Sequence, residues 1–242
     1  MSGRDLPYRV LGDPRPGGLV VISDHASNRV PPDIVLGIPE ALLDEHVAID
    51  IGVAGVAERM IGPGVMAYLA NVSRLVCDFN RDRAVAGAIP ESSDGHDIPG
   101  NRLSSDDREA RLVRFFDPYH TALAALLDAA EPALILNLHS FTPRLASDPS
   151  QQRPWQIGVL YNEDDRVARL AIPLLEAEGV VVGDQLPYSG RILNATMNRH
   201  AEARGRLYLG VEVRQDQIAG ADGQAEWAER LLRVCEAILA QS

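Results

Sequence analysis

Four polar residues stand where an α/β fold collects chemistry. His25 closes the apolar run 19–24, Asp50 opens a helical stretch from Ile51 to Met60, His139 closes the run 133–138, and Glu212 lies inside the apolar run 207–213. Ligands of an open α/β sheet gather outside the carboxyl ends of its strands. Two imidazoles and a carboxylate are donors that zinc takes in a catalytic site, where three protein ligands leave one position open for water. A metal so held lowers the pKa of water towards ~7 and polarises a scissile carbonyl. A separate carboxylate must then take the water proton and pass it to the leaving nitrogen. Glu212 suits that task, because a charge in an apolar strand is costly to bury without a partner or a role. Each residue also has a simpler reading: a hydrogen-bonded histidine after a strand, an N-cap at Asp50, or an edge-strand Glu212 paired with Arg214. Residue types and spacing leave both readings open.

The elements that would carry these residues alternate between strand and helix. Strands are expected at 19–24, 65–70, 74–78, 133–138, 156–161, 180–182 and 206–213, since short continuous apolar runs mark strands covered on both faces. Helices are expected at 39–45, at 51–60 behind an Asp50 N-cap, at 105–130 behind Ser105 or Asp106, and at 164–178, 193–203 and 226–239. Residues 82–104 and 142–154 read as polar loops, and loops as long as the first are usually functional or disordered. This alternation predicts a three-layer α/β/α sandwich with a mixed, mostly parallel sheet. The chain has 242 residues, 46% of them hydrophobic, and no linker-like break, so one domain over 1–242 is expected.

Composition removes several function classes. A net charge of −11 repels nucleic acid and anionic lipid, so neither is an expected partner. Two cysteines, Cys77 and Cys235, are too few for a secreted disulfide scaffold and read as small buried hydrophobes. The polar start Met1-Ser2-Gly3-Arg4-Asp5 has no signal-peptide character and no apolar run spans a membrane, so a cytoplasmic location is expected. No Gly-x-Gly-x-x-Gly follows the first strand and no Walker-type loop occurs, which argues against dinucleotide and nucleotide-triphosphate enzymes.

Three stretches resemble the N-formylglutamate amidohydrolase family: Ser23-Asp24-His25-Ala26-Ser27-Asn28-Arg29-Val30-Pro31, Ser73-Arg74-Leu75-Val76-Cys77-Asp78-Phe79-Asn80-Arg81 and Asn137-Leu138-His139-Ser140-Phe141-Thr142-Pro143. Weaker matches are His46 to Gly52 and Gly210 to Asp216, and together the matches run from about residue 19 to 218. The resemblance implies a zinc-exopeptidase or phosphorylase/hydrolase-like fold, related to carboxypeptidases and muramoyl-alanine amidases. It implies metal ligands at His25 and His139 and a general base at Glu212. In the amidases the middle ligand is an acidic residue opening a helix, which matches Asp50; in carboxypeptidases it falls where this chain has Asn28, a poor zinc ligand.

A family acting on N-acyl acidic amino acids implies carboxylate anchors. Arg74 and Arg81 are candidates, because guanidinium offers a bidentate fork to a carboxylate; Arg74 is also read as catalytic, stabilising the oxyanion. Asn80, Ser140 and His200 are candidate substrate contacts, and His46 a candidate supporting residue for Asp50. His120 reads as structural. Arg83, His96 and Arg102 become candidates if the 82–104 loop closes over substrate. The expected activity is hydrolysis of the amide of N-formyl-L-glutamate or an analogue, with one Zn²⁺ per chain; manganese, cobalt or iron could occupy such a site. The alternatives are a zinc amidase acting on peptide or muramoyl-peptide amides, and a non-catalytic ligand-binding relative. The resemblance places the enzyme in amino-acid catabolism.

Overall fold

The computed structural model describes residues 6–145 and 147–241. In chain order its first elements are β1 (Tyr8–Leu11), β2 (Leu19–Ser23), α1 (Val53–Met60), β3 (Val65–Ala70), and the short hairpin β4 (Ser92–Ser93) and β5 (His96–Asp97). One long helical rod follows, α2 (Ser105–Arg111) and α3 (Asp117–Ala130) joined by a π-helical turn at Leu112–Phe116. Then come β6 (Leu134–Phe141), β7 (Ile157–Leu160), α4 (Arg166–Ala177), β8 (Val182–Asp184), α5 (Ala195–His200), β9 (Tyr208–Arg214) and α6 (Ala221–Leu239).

Seven strands form one sheet in the order β1-β3-β2-β6-β9-β7-β8. The central strands β3, β2, β6 and β9 are parallel, β7 runs against β9, and β1 runs against β3. The sheet is mixed and mostly parallel, as the alternation predicts. Its central strands β2, β3 and β6 are mainly apolar because both faces are covered. Val21, Leu136 and Val211 pack with Val56, Leu175 and Leu231 of α1, α4 and α6 on one face. Val20, Ile22, Ile135 and Tyr208 pack with Phe116, Leu123 and Met197 on the other. The result is three layers. Among the described residues no helix is long and apolar enough to cross a membrane.

The register of the central strands decides which side chains meet. His139 of β6 lies directly opposite Glu212 of β9, and Ile22 of β2 opposite Asn137. Paired residues on neighbouring strands point to the same face. His139 and Glu212 therefore share the face of Ile135 and Tyr208, while Ser140 turns towards α1.

Several elements depart from the sequence expectations. The helix expected from Ile51 starts at Val53, and its N-cap is Gly52 rather than Asp50. Gly52 has φ +87°, and a Cβ there would meet the Ile218 carbonyl oxygen at 2.2 Å, so this turn needs glycine. Residues 74–78 form no strand; they follow β3 as a turn in which Ser73 donates to the Ala48 carbonyl and accepts from the Leu75 amide. Ser104, not Ser105 or Asp106, caps α2, accepting from the Asp107 amide. β6 continues through His139 to Phe141, so His139 lies within a strand rather than after it. The hairpin β4–β5 lies inside the expected 82–104 loop, and β1 was not expected at all. It is four residues long on a sheet edge, half-buried except for the exposed Val10, a weak sequence signal.

Candidate metal centre

The ends of β2, β6 and β9 meet the loop after β3 around one cavity of about 290 Å³. His25, Asp50, Arg74, Asn80, Arg81, His139, Ser140 and Glu212 all line it. His25 follows β2, the Asp50 amide donates to the His25 carbonyl, and Arg74 and Asp78 come from the turn after β3. Distant parts of the chain thus converge at the carboxyl edge of the sheet.

At the centre sits the Asp50 carboxylate. Its Oδ2 lies 2.8 Å from His139 Nδ1 and 3.3 Å from His25 Nδ1. Oδ2 also accepts from the Ser140 amide at 3.3 Å, and Oδ1 accepts from Arg74 Nη1 at 3.2 Å. This explains why Asp50 caps no helix: its oxygens are committed to the site. Burial alone would raise the Asp50 pKa, but the two imidazoles hold it well below the usual carboxylate range. Burial likewise opposes charge on His139, yet Asp24 and Asp50 raise its pKa well above the ordinary value.

Donor atoms of His25, Asp50 and His139 all lie within 4.8 Å of one another. Two imidazole nitrogens and one carboxylate oxygen suit a divalent metal of borderline softness. The outer nitrogens point at further carboxylates: His25 Nε2 meets Asp78 Oδ1 at 2.8 Å and His139 Nε2 faces Asp24 Oδ2 at 3.4 Å. Metal-binding histidines are characteristically oriented this way. The residues present therefore fit a metal ion. Asn28 stands apart, donating to Asp44.

Glu212 lines the cavity beside His139, with Oε2 sealed from solvent and lacking a hydrogen-bond partner. Burial pushes its pKa up to about 8. Both Arg74 nitrogens that face the site are engaged, with Asp50 and with Asp78 at 3.2 Å each. Arg81 is one-third exposed and reaches Asp78 only at 3.5 Å. Asn80 accepts from the Thr196 amide through Oδ1, and Ser140 Oγ donates to the Ile51 carbonyl, so both also hold the cavity wall together. His46 lines the cavity without a hydrogen bond to Asp50, and burial lowers its pKa to about 4.

Other candidates lie elsewhere. His200 is buried in α5, its Nε2 2.9 Å from His120 Nδ1, and does not line this cavity. Arg83 is held by Glu109 and Asp117, and Arg102 by Asp97. From the 82–104 loop it is Ser93 and Asp94 that reach the cavity, not Arg83, His96 or Arg102. Asp94 Oδ1 accepts from the Ser147 amide at 3.0 Å, so the hairpin and the 142–154 loop meet at the rim. Sequence reasoning missed Tyr188, whose hydroxyl accepts from Arg153 Nη1 at 3.2 Å. It also passed over Asp24 and Asp78, although both stand beside the motifs that carry the site.

The His120–His200 pair makes a stability prediction. Burial lowers their pKa values to about 3 and about 4. Both are neutral when folded and ordinary bases, with pKa ≈ 6.5, when unfolded. The unfolded chain thus binds more protons in this range, so stability present above pH ~6.5 is lost as pH falls towards ~4. The urea midpoint of wild type minus that of His200→Gln should fall as pH is lowered from 7.5 to 5, which isolates the pair from the other buried groups. An identical slope in the variant would disprove the assignment.

A mixed α/β sheet with a His–Asp–His cluster at its carboxyl edge defines an α/β protein with a candidate metal centre. The sequence matches the N-formylglutamate amidohydrolase family over residues 17–219, and the chain belongs to that family of amidohydrolases. A gene product from Agrobacterium tumefaciens is 27% identical, with a TM-score of 0.91 over 100% of this chain and 98% of its own. The N-formylglutamate amidohydrolase from Ralstonia eutropha JMP134 is 19% identical, with a TM-score of 0.74 over 98% of this chain and 99% of its own, and shares the fold. A bacteriophage poly-gamma-glutamate hydrolase, 11% identical, has a TM-score of 0.50 over 100% of this chain and 93% of its own. No curated protein sequence matches the chain.

Proposed function

We propose that residues 1–242 form one zinc-dependent amidohydrolase domain that releases the acyl group from a small N-acyl amino acid, N-formyl-L-glutamate or a close analogue, in the cytoplasm. The observation that supports it is the convergence of His25, Asp50 and His139 with Glu212 in one small cavity. About 290 Å³ is near the low end for small-molecule sites. It suits a formylated amino acid better than a peptide or muramoyl-peptide, and Asp94 and Ser147 narrow the rim.

His25 and His139, through Nδ1, and Asp50, through Oδ2, would hold one zinc ion. When bound, the ion lowers the pKa of water towards ~7 and polarises the scissile carbonyl. Glu212 takes the proton of the attacking water and delivers it to the departing amide nitrogen. Water oxygen bonds to the acyl carbon, the carbon–nitrogen bond breaks, and the products are the carboxylic acid and the amine. Arg74, fixed between Asp50 and Asp78, presents positive charge to the developing oxyanion. Arg81 anchors a substrate carboxylate, with Asn80 and Ser140 shaping the wall. His200, bonded to His120 and outside the cavity, makes no substrate contact in this reading.

The test is metal content by elemental analysis together with turnover of a panel of N-formyl and other N-acyl amino acids. About one zinc per chain and preference for an acidic N-formyl amino acid is the expected result. A protein that neither holds nor takes up metal would overturn the reading and favour a non-catalytic binding relative. Arg81→Ala should raise KM for an acidic substrate by roughly 10–100-fold, with a smaller effect on kcat. Equal losses for acidic and uncharged N-formyl amino acids would remove Arg81 from carboxylate recognition.

A further inference from the structure

The two imidazoles of the cluster are held differently at their outer nitrogens. His25 Nε2 has a short bond of 2.8 Å to Asp78 Oδ1. His139 Nε2 and Asp24 Oδ2 are both buried, neither has a hydrogen-bond partner, and they face one another at 3.4 Å. The second oxygen of Asp24 is held firmly. Its Oδ1 accepts from Tyr119 Oη at 2.9 Å and from Thr196 Oγ1 at 3.0 Å.

Both donors around Asp24 have it as their nearest acceptor. Thr196 has one hydroxyl proton, and its other neighbour, the Phe79 carbonyl at 3.2 Å, also lies 3.1 Å from His120 Nε2. With the Nε2 proton of His120 on that carbonyl, His120 Nδ1 accepts from His200 Nε2. Asp24 Oδ1 is the nearer and the charged acceptor for the Thr196 proton, so the stronger bond goes there. Tyr119 is packed face to face on Phe79, with ring centroids 3.9 Å apart, which fixes its hydroxyl. A neutral acceptor would satisfy both hydroxyls equally well. A fully buried carboxylate with one idle oxygen is expensive unless that oxygen has a task.

We propose that Asp24 is the positioning residue for His139. Tyr119 and Thr196 lock its Oδ1, so that Oδ2 accepts the Nε2 proton of His139 and Nδ1, which bonds Asp50 in the metal-free protein, is the nitrogen left to a metal ion. α3 and α5 are thereby tied to the metal centre through residues that never touch the ion. The inference rests on the metal-dependent reading above.

The test uses zinc alone as the probe, with affinity measured by competition against a chromophoric chelator. Asp24→Asn keeps the shape, but either turns an amide donor towards His139 or offers it only a neutral acceptor. Zinc affinity should fall by about 10–100-fold, the melting temperature of the metal-free protein should stay near wild type, and the visible spectrum of the cobalt-substituted protein should change. Tyr119→Phe should weaken zinc by roughly 2–10-fold. Wild-type protein that binds no zinc would overturn the metal reading itself. Wild type that binds zinc, with Asp24→Asn binding it equally well, would overturn this inference alone. If Asp24→Asn fails to fold, Tyr119→Phe decides: unchanged affinity and an unchanged cobalt spectrum reject the proposal.

Discussion

Glu212→Gln is expected to lower kcat by at least about 10²-fold while leaving zinc content unchanged. The substitution keeps size and strand geometry but removes the basic oxygen that must take up a proton. Glu212 lies in register with His139 and lines the same cavity, yet belongs to no metal cluster found among the described residues. Loss of turnover should therefore separate from loss of metal. The metal-free protein gives an independent check. Burial pushes Glu212 up to about 8, against an unfolded value of ≈ 4.3. The folded state then binds more protons between these values, and stability falls as pH rises through that window. Gln has no ionisation to suppress, so the metal-free variant should melt at or above wild type at pH 7.5. Steady-state kinetics with parallel metal analysis measures the first effect and calorimetry the second. A variant with wild-type kcat would exclude Glu212 as the base.

The second large effect concerns Asp50. Its carboxylate receives His139, His25, Arg74 and the Ser140 amide. Asp50→Ala removes a metal donor and also leaves the Arg74 charge with Asp78 as its remaining partner at the site. Breaking a buried ion pair from one side costs about 3–5 kcal/mol. Asp50→Ala should therefore lose bound zinc, lose activity and melt lower even without metal. His139→Ala also removes a donor, and it takes a partner from the buried Asp24 and Asp50 carboxylates, so it too should lose zinc and melt lower without metal. Metal itself should stabilise the wild type: free zinc at about 1,000 times its Kd contributes about 4 kcal/mol. For a chain of this length that corresponds to roughly 8–16 °C in melting temperature. A chelator should abolish this shift in wild type and change nothing in either variant. A metal-independent melting temperature in the wild type would remove His25, Asp50 and His139 from metal binding.

Much of the frame was legible in the chain itself. Mainly apolar runs at 19–24, 133–138 and 206–213 correspond to β2, β6 and β9, because a strand covered on both faces is apolar at most positions. The amphipathic stretches that became α4 and α6 were readable for a similar reason. Local rules failed where a side chain had a better offer from distant residues. Asp50 reads as an N-cap when only its sequence neighbours are weighed, and as a metal ligand when the distant histidines and the family resemblance are added. In the fold its oxygens are taken by His25, Arg74 and His139, and Gly52 starts the helix. Residues 74–78 looked like a strand because Leu75, Val76 and Cys77 are apolar, but they bury those side chains from a turn.

The sequence by itself determined the layers, the family and the residue types available for chemistry, since these follow from periodicity, composition and short motifs. The tertiary structure decided which of those residues meet. Parallel register alone sets Glu212 beside His139. The turn after β3 brings Asp78 to His25, and the packing of α3 and α5 brings Tyr119 and Thr196 to Asp24. It also separates His200 from the cavity and gives it to His120. Hydrogen bonds between residues 25 to 172 positions apart depend on strand order and helix packing, and no local pattern in a chain encodes those distances.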